Sequence, residues 1–252
     1  MSEEKDFQQF FGKHADSYAH SSSHASGSDL QEFLRMMAPK STDVCLDMAT
    51  GTGFTAAEFA TKCEKVIALD GTEQMLDKAK KLAEEKNLKN MEFVVSTVEK
   101  TPLKDNSVDL VTCRRAAHHF HDKREFLSEC RRVLKAGGKL GIVDMIRNED
   151  DFHDIRNKME IARDSSHFYA PKISEWRKMV EENGFTIITL EEMEEPYTYA
   201  KWLSPIVEGG DEDAKAKDII LSEGKDDLLR AGFDRDKMTF SKKRMILVAS
   251  RI

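Results

Sequence analysis

Between Val44 and Phe54 the chain reads Val-Cys-Leu-Asp-Met-Ala-Thr-Gly-Thr-Gly-Phe, an apolar run, an aspartate and a Gly-x-Gly turn at Gly51 and Gly53. A strand that runs into such a turn and opens a helix offers backbone N–H groups and a close backbone approach to a ligand. Ala56 stands where a third glycine would be. Asp70 closes the next apolar run, about 20 residues on, the spacing at which an acidic side chain takes ribose hydroxyls. Both carboxylates also have plain readings, Asp47 as a turn or helix cap and Asp70 as an ordinary strand-end residue.

Two ligand classes suit this loop, a dinucleotide and S-adenosylmethionine. Asp47 separates them. A carboxylate just before the glycines repels a pyrophosphate, but it suits the positive amino and sulfonium groups of S-adenosylmethionine. A second group of reactive side chains follows in Cys113-Arg114-Arg115-Ala116-Ala117-His118-His119-Phe120-His121. Arg114 could face the cofactor or an acidic acceptor, and His118 or His119 could act as a base. The competing readings are a solvated arginine pair and one histidine packed under the loop. His118, His121 and Asp122 raise a metal reading, but no further His/Cys/Glu pair at ligand spacing supports a closed site, so no metal is expected. Asp144 could reach an acceptor pocket or serve as a cap.

These residues need a scaffold that brings them to one edge. Val44–Leu46, Val66–Leu69, Met91–Val95, Val108–Cys113 and Lys139–Met145 read as buried strands. Helical stretches separate them at Thr55–Cys63, Thr72–Glu85 and Lys123–Leu134, the last stopped by Gly137-Gly138. Such alternation predicts an α/β fold, a doubly wound, mostly parallel sheet with helices on both faces. Beyond it, Ser174–Asn183 reads as a helix, Phe185–Leu190 as a strand, Glu191–Glu195 as an acidic stretch, Ile219–Leu229 as a helix and Thr239–Ser250 as a final strand. These add two strands to the same sheet, with helical insertions over the strand ends.

The expected organisation is a single domain over 1–252, comprising an N-terminal helical lid (1–39), a cofactor-binding core (40–145) and acceptor-covering insertions with the last strands (146–252). Phe7, Phe10, Phe11 and Tyr18 have helical spacing, followed by a connector at His20–Ser28; Tyr18 and His14 could close over the cofactor or simply pack. Trp202 is the expected pocket wall and Trp176 a core residue.

Composition narrows the partners. Of 252 residues 40% are hydrophobic and 34% charged, with a net charge of −7, which excludes collagen-like and broadly disordered chains and disfavours nucleic acid. No apolar run approaches the ~20 residues of a membrane span, and the first residues lack a secretion signal. Cys45, Cys63, Cys113 and Cys130 are too far apart for CxxC motifs and read as buried thiols in a reducing cytoplasm.

The chain resembles the class I S-adenosylmethionine-dependent methyltransferases, of the branch that includes the ubiquinone/menaquinone-biosynthesis enzymes. The resemblance covers residues 40–145 through LDMATGTG, VIALD, FVVSTVEKTPLKDNSVDLVTCRRAAHHF and RVLKAGGKLGIVD, in that order. It implies a seven-stranded Rossmann-like fold and S-adenosyl-L-methionine as cofactor, released as S-adenosyl-L-homocysteine. It also implies a cofactor site drawn from Asp47, Gly51, Thr52 and Gly53, then Asp70, Gly71 and Met75, then Thr97, Val98 and Glu99, with Arg114 and Tyr18 nearby. Many relatives carry an acidic residue where this chain has Thr97; its hydroxyl and the Val98 N–H are left to meet the adenine. The implied activity is C- or O-methylation of a small molecule. The Asn/Asp-Pro-Pro-Tyr signature of amide and exocyclic-amine methylation is absent. A non-catalytic cofactor-binding sensor and a nicotinamide-dependent oxidoreductase stand as alternatives, and oligomeric state is left open.

Overall fold

The computed structural model describes residues 27–204, 206 and 208–252. Tyr18, His14 and the N-terminal phenylalanines lie outside them. Strands β1 (Val44–Met48), β2 (Lys65–Asp70), β3 (Met91–Val95), β4 (Val108–Arg114), β5 (Leu134–Met145), β6 (Phe185–Thr198) and β8 (Thr239–Arg251) form one sheet in the order β3-β2-β1-β4-β5-β8-β6. β1 to β5 pair in parallel, while β8 is antiparallel to both β5 and β6. The expected doubly wound, mostly parallel sheet is therefore present. An additional β7 (Phe233–Asp234) pairs with β8 through two residues, too few to leave an alternating pattern in the sequence.

Helices α1 (Ser28–Met37) and α2 (Phe54–Ala60) cover one face, and α3 (Glu73–Glu85) lies beside α2. Of the segment expected as a lid, α1 is packed onto the sheet. Phe33 and Met37 are fully buried, and Gly141 of β5 makes room for them, since a Cβ there would sit 2.5 Å from the Met37 sulfur. Helices α4 (Lys123–Val133) and α6 (Ile173–Glu182) cover the opposite face through Phe126, Leu127, Trp176 and Val180. Trp176 is a core residue, as expected. Each such apolar side chain contributes roughly 1.5–3 kcal/mol on full burial.

A satellite core stands at the carboxyl edge of the sheet. It joins α5 (Ile155–Arg163), α7 (Tyr199–Leu203), α8 (Asp211–Ser222), α9 (Lys225–Arg230), β7 and the start of β8 around Met159, Trp202, Phe233 and Phe240. The helix expected over Ile219–Leu229 divides at Ser222, and Gly224 starts a new one. β6 continues through the acidic stretch as far as Thr198, because Glu192, Glu194 and Glu195 lie opposite Met245, Lys243 and Lys242. β5 begins at Leu134 and passes the glycine pair through an irregularity in its pairing with β4. Among the described residues, no helix is long and apolar enough to cross a membrane.

Candidate active site

Parallel pairing brings the ends of β1, β2, β4 and β5 to one edge, at the point where the strand order reverses between β1 and β4. This is the position at which open α/β sheets bind ligands. The glycine loop leaves β1 here. Gly51 has φ +55° and an added Cβ would meet nothing within 4 Å among the described residues, so the backbone there faces open space left by them. Gly53 has φ +86° and an added Cβ would sit 2.7 Å from the Ala79 Cβ on α3. One glycine thus leaves room for a ligand, and the other lets two helices meet. Thr52 is buried.

Two acidic side chains hold the loop from below. Asp47 is 1% exposed, and its oxygens accept from the Thr50 hydroxyl (2.6 Å) and the Thr112 hydroxyl (2.7 Å). Burial pushes its pKa up to about 6, in spite of those donors. Asp70 accepts the Gly51 N–H through Oδ2 (2.8 Å) and the Thr72 N–H through Oδ1 (2.9 Å), and burial raises it as well. Asp70 therefore ties the β1 loop to the β2 loop. Ser96 donates its N–H to the Asp70 carbonyl (3.1 Å), which brings the segment after β3 to the same place. In that segment Thr97 is exposed, Glu99 is half-buried and Val98 is anchored in the main core. Gly71 is half-buried, and Met75 is buried in α3.

Arg114 ends β4 but its guanidinium reaches Asp29 at the start of α1. Arg115 grips the same carboxylate through Nε and a terminal nitrogen, both at 2.9 Å. Burial raises the Asp29 pKa, but the guanidiniums of Arg115 and Arg114 outweigh it and hold it at about 2. The solvated arginine pair is thus replaced by a buried clamp. Asp29 was missed in the sequence because it falls just after a polar connector.

The histidines divide in role. The His118 Nδ1 lies 2.6 Å from Asp144 Oδ1, and its backbone N–H donates to Oδ2 at 2.9 Å. Burial raises Asp144, but the facing His118 brings it below the usual carboxylate range. An ionised carboxylate can only accept, so Nδ1 carries a proton, and in the neutral form of the ring the lone pair is at Nε2. The His118 side chain is 15% exposed, whereas that of Asp144 is 1% exposed. His119 is bound by its Nδ1 to the Ser166 carbonyl (2.8 Å), and burial with the neighbouring His118 brings its pKa down to about 4. It joins the turn after β4 to the 164–166 loop. His121 is exposed against Phe168, and Asp122 caps α4 through the N–H groups of Arg124 and Glu125. Among the described residues, no group of three His, Cys, Asp or Glu side chains could hold a metal ion.

Above this edge, Trp202 is 2% exposed, stacks on Phe240 at 5.1 Å and donates its indole N–H to Glu160 (3.0 Å). It is a buried pillar of the satellite core where an open pocket wall was expected. Glu160 also pairs with Arg156 (2.7 Å) and Arg163 (3.0 Å). These charges came from insertions whose apolar spacing carried no local chemical pattern.

Comparison with known proteins accords with this edge. Residues 46–142 match a methyltransferase domain family. The methyltransferase YcgJ of Bacillus subtilis, uncharacterized by its name, is 33% identical over 211 residues, 83% of this chain and 82% of the relative. The demethylmenaquinone methyltransferase of Thermotoga maritima is 39% identical over 103 residues, 40% of this chain and 43% of its own. The crystal structure of BH2331 from Bacillus halodurans, assigned by its name to the methyltransferases, superposes with a TM-score of 0.82 at 34% identity, covering 89% of this chain and 99% of that one. The glycine loop, the acidic residues beneath it and these relatives together place the chain in the class I S-adenosylmethionine-dependent methyltransferases.

Proposed function

We propose that the protein methylates a small-molecule acceptor at carbon or oxygen, using S-adenosylmethionine. The observation that carries this reading is the pairing, at one sheet edge, of a glycine loop over two buried carboxylates with an oriented His118–Asp144 dyad. The donor set fits the cofactor: Gly51 leaves open space, Asp70 keeps acceptor capacity beyond its two N–H bonds, and Asp47 supplies negative charge beneath the loop. When bound, the cofactor supplies an electrophilic methyl group on a positive sulfur.

The chain's own contribution is positioning and electrostatics. In-line transfer requires nucleophile, methyl and leaving sulfur to be held in line, and burial at the edge removes competing water. Asp70 would hold the ribose hydroxyls, and Thr97 with the Val98 N–H would meet the adenine. Asp47 would favour the positive charge of the cofactor. His118 would take the acceptor's proton at Nε2, with the resulting imidazolium stabilised by Asp144. The clamp on Asp29 gives Arg114 a positioning role at the end of β4.

A net charge of −7 supports a small molecule rather than a nucleic acid as acceptor. The four buried cysteines form no disulfide, which supports a cytoplasmic location. Calorimetry with S-adenosylhomocysteine, S-adenosylmethionine and NAD tests the proposal. Binding of the first two with methyl transfer to a component of a metabolite extract is expected. Binding of NAD alone would refute it, and cofactor binding without turnover would favour a sensor.

A further inference from the structure

We propose that the recess between α5 and the first half of β8 receives an oxyanion, a carboxylate or phosphate group carried by the methyl acceptor. This rests on the methyltransferase reading and adds a chemical class to the acceptor.

Lys242 and Arg244 stand two residues apart on β8, so both project from the same face of the sheet. Arg244 is paired in register with Met145, one residue past Asp144, which places it beside the strand end that holds His118. Arg156 faces the same space from α5, its guanidinium 3.9 Å over the Phe240 ring. These three cations are poorly matched by carboxylates. Lys242 has no carboxylate within ion-pair distance among the described residues, although Glu195 is opposite it in register. Glu195 pairs with Lys201 at 3.3 Å and is 3.5 Å from Arg244. Glu160 binds Arg156, but it also serves Arg163 and the Trp202 indole. The Arg156 Nε is buried without a hydrogen-bond partner among the described residues.

The surplus has electrostatic consequences. Burial lowers the Lys242 ammonium to about 7; Glu160 opposes this, while Arg244, Arg163 and Arg156 add to the lowering. Burial likewise brings Arg156 down to about 10, against the pull of Glu160. Lys242 is nonetheless only partly covered, with Arg244 and Arg156 buried beside it, so solvent reaches the group at Lys242. A purely structural ion-pair network would match its buried cations with carboxylates, because an uncompensated buried charge is costly. An oxyanion beside Lys242, Arg244 and Arg156 supplies the missing charge. It would also fix the acceptor's orientation toward the His118 edge.

Thermal unfolding at low, constant ionic strength tests this, with inorganic pyrophosphate, acetate or chloride added to protein saturated with S-adenosylhomocysteine. Pyrophosphate or acetate should raise the wild-type Tm by about 2–4 °C over chloride when present well above its Kd. A response to pyrophosphate alone assigns a phosphate carrier, and one to acetate a carboxylate carrier. Lys242→Met should lose the response while gaining Tm without anion, and Lys242→Arg should keep the response. No rise beyond chloride in wild type, or an equal rise in Lys242→Met, would overturn the proposal. Calorimetry of S-adenosylhomocysteine on the same samples keeps the two readings apart. Cofactor binding without an anion response sinks only the recess, and an anion response without cofactor binding sinks the methyltransferase reading and with it the assignment of the anion to a methyl acceptor.

Discussion

His118 meets Asp144 twice, through Nδ1 at 2.6 Å and through its backbone N–H at 2.9 Å, so ring and main chain are fixed by one carboxylate. The double contact sets both the tautomer and the direction of Nε2. If the dyad works as a base, Asp144→Asn should lower kcat by about 10²-fold or more while leaving S-adenosylhomocysteine affinity nearly unchanged. His118→Gln should do the same. Steady-state kinetics beside calorimetry checks this, and a KM effect without a kcat effect would reassign the pair to substrate positioning.

Asp70 offers a second test. Asp70→Ala removes the acceptor for the Gly51 and Thr72 N–H groups as well as the proposed ribose contact. Cofactor affinity should fall by about 1–3 kcal/mol. An unchanged affinity, with circular dichroism showing an intact fold, would remove Asp70 from the site.

Asp47 stores a cost. Its native pKa of about 6 lies above the ordinary carboxylate value of 3.8, so the native state holds the proton more tightly than the unfolded chain. Stability contributed by this group therefore falls as pH rises from about 4 to about 6, by about 3 kcal/mol, and is flat above that. Asp47→Asn should raise the Tm at pH 8 by about 5 °C or more, with the gain vanishing near pH 4. The same variant should bind S-adenosylmethionine at least tenfold more weakly. Thermal melts across pH with parallel calorimetry report both effects.

The two loop glycines should fail differently. Gly53→Ala presses a methyl against Ala79 and is expected to destabilise the fold by about 1–3 kcal/mol, with partial rescue by Ala79→Gly. Gly51→Ala meets no neighbour among the described residues and costs about 1–2 kcal/mol through its left-handed backbone. Its larger effect should be on cofactor affinity. Denaturant melts and calorimetry on both variants separate the roles.

Much of this was legible along the chain because it is local. The apolar runs Val44–Leu46, Val66–Leu69 and Met91–Val95 announce parallel strands, and a glycine turn after an apolar run announces the crevice. What escaped was non-local. Glu191–Glu195 reads as a break in one dimension, yet it is strand, because Lys242, Lys243 and Arg244 lie across from it in register some fifty positions away. Asp29 gains its meaning only from Arg114 and Arg115, far downstream. Trp202 has the composition of a pocket wall, but Phe240 and Glu160 enclose it. Asp144 was visible as a strand end, while its hold on His118 needed the turn after β4 to be placed.

The insertion of β8 between β5 and β6 has a consequence for the order of assembly. Leu140 of β5 finds its partner Ala249 more than a hundred positions later, and the same strand supplies Phe240 to the satellite core and Lys242 and Arg244 to the recess. Pairings of such sequence separation pay their loop-closure entropy late and fold slowly. While a nascent chain still lacks β8, β5 stands as an open edge and the proposed oxyanion group lacks Lys242 and Arg244. The glycine-loop crevice, built from neighbouring βα units, can form earlier, so it and the proposed oxyanion group belong to different stages of folding.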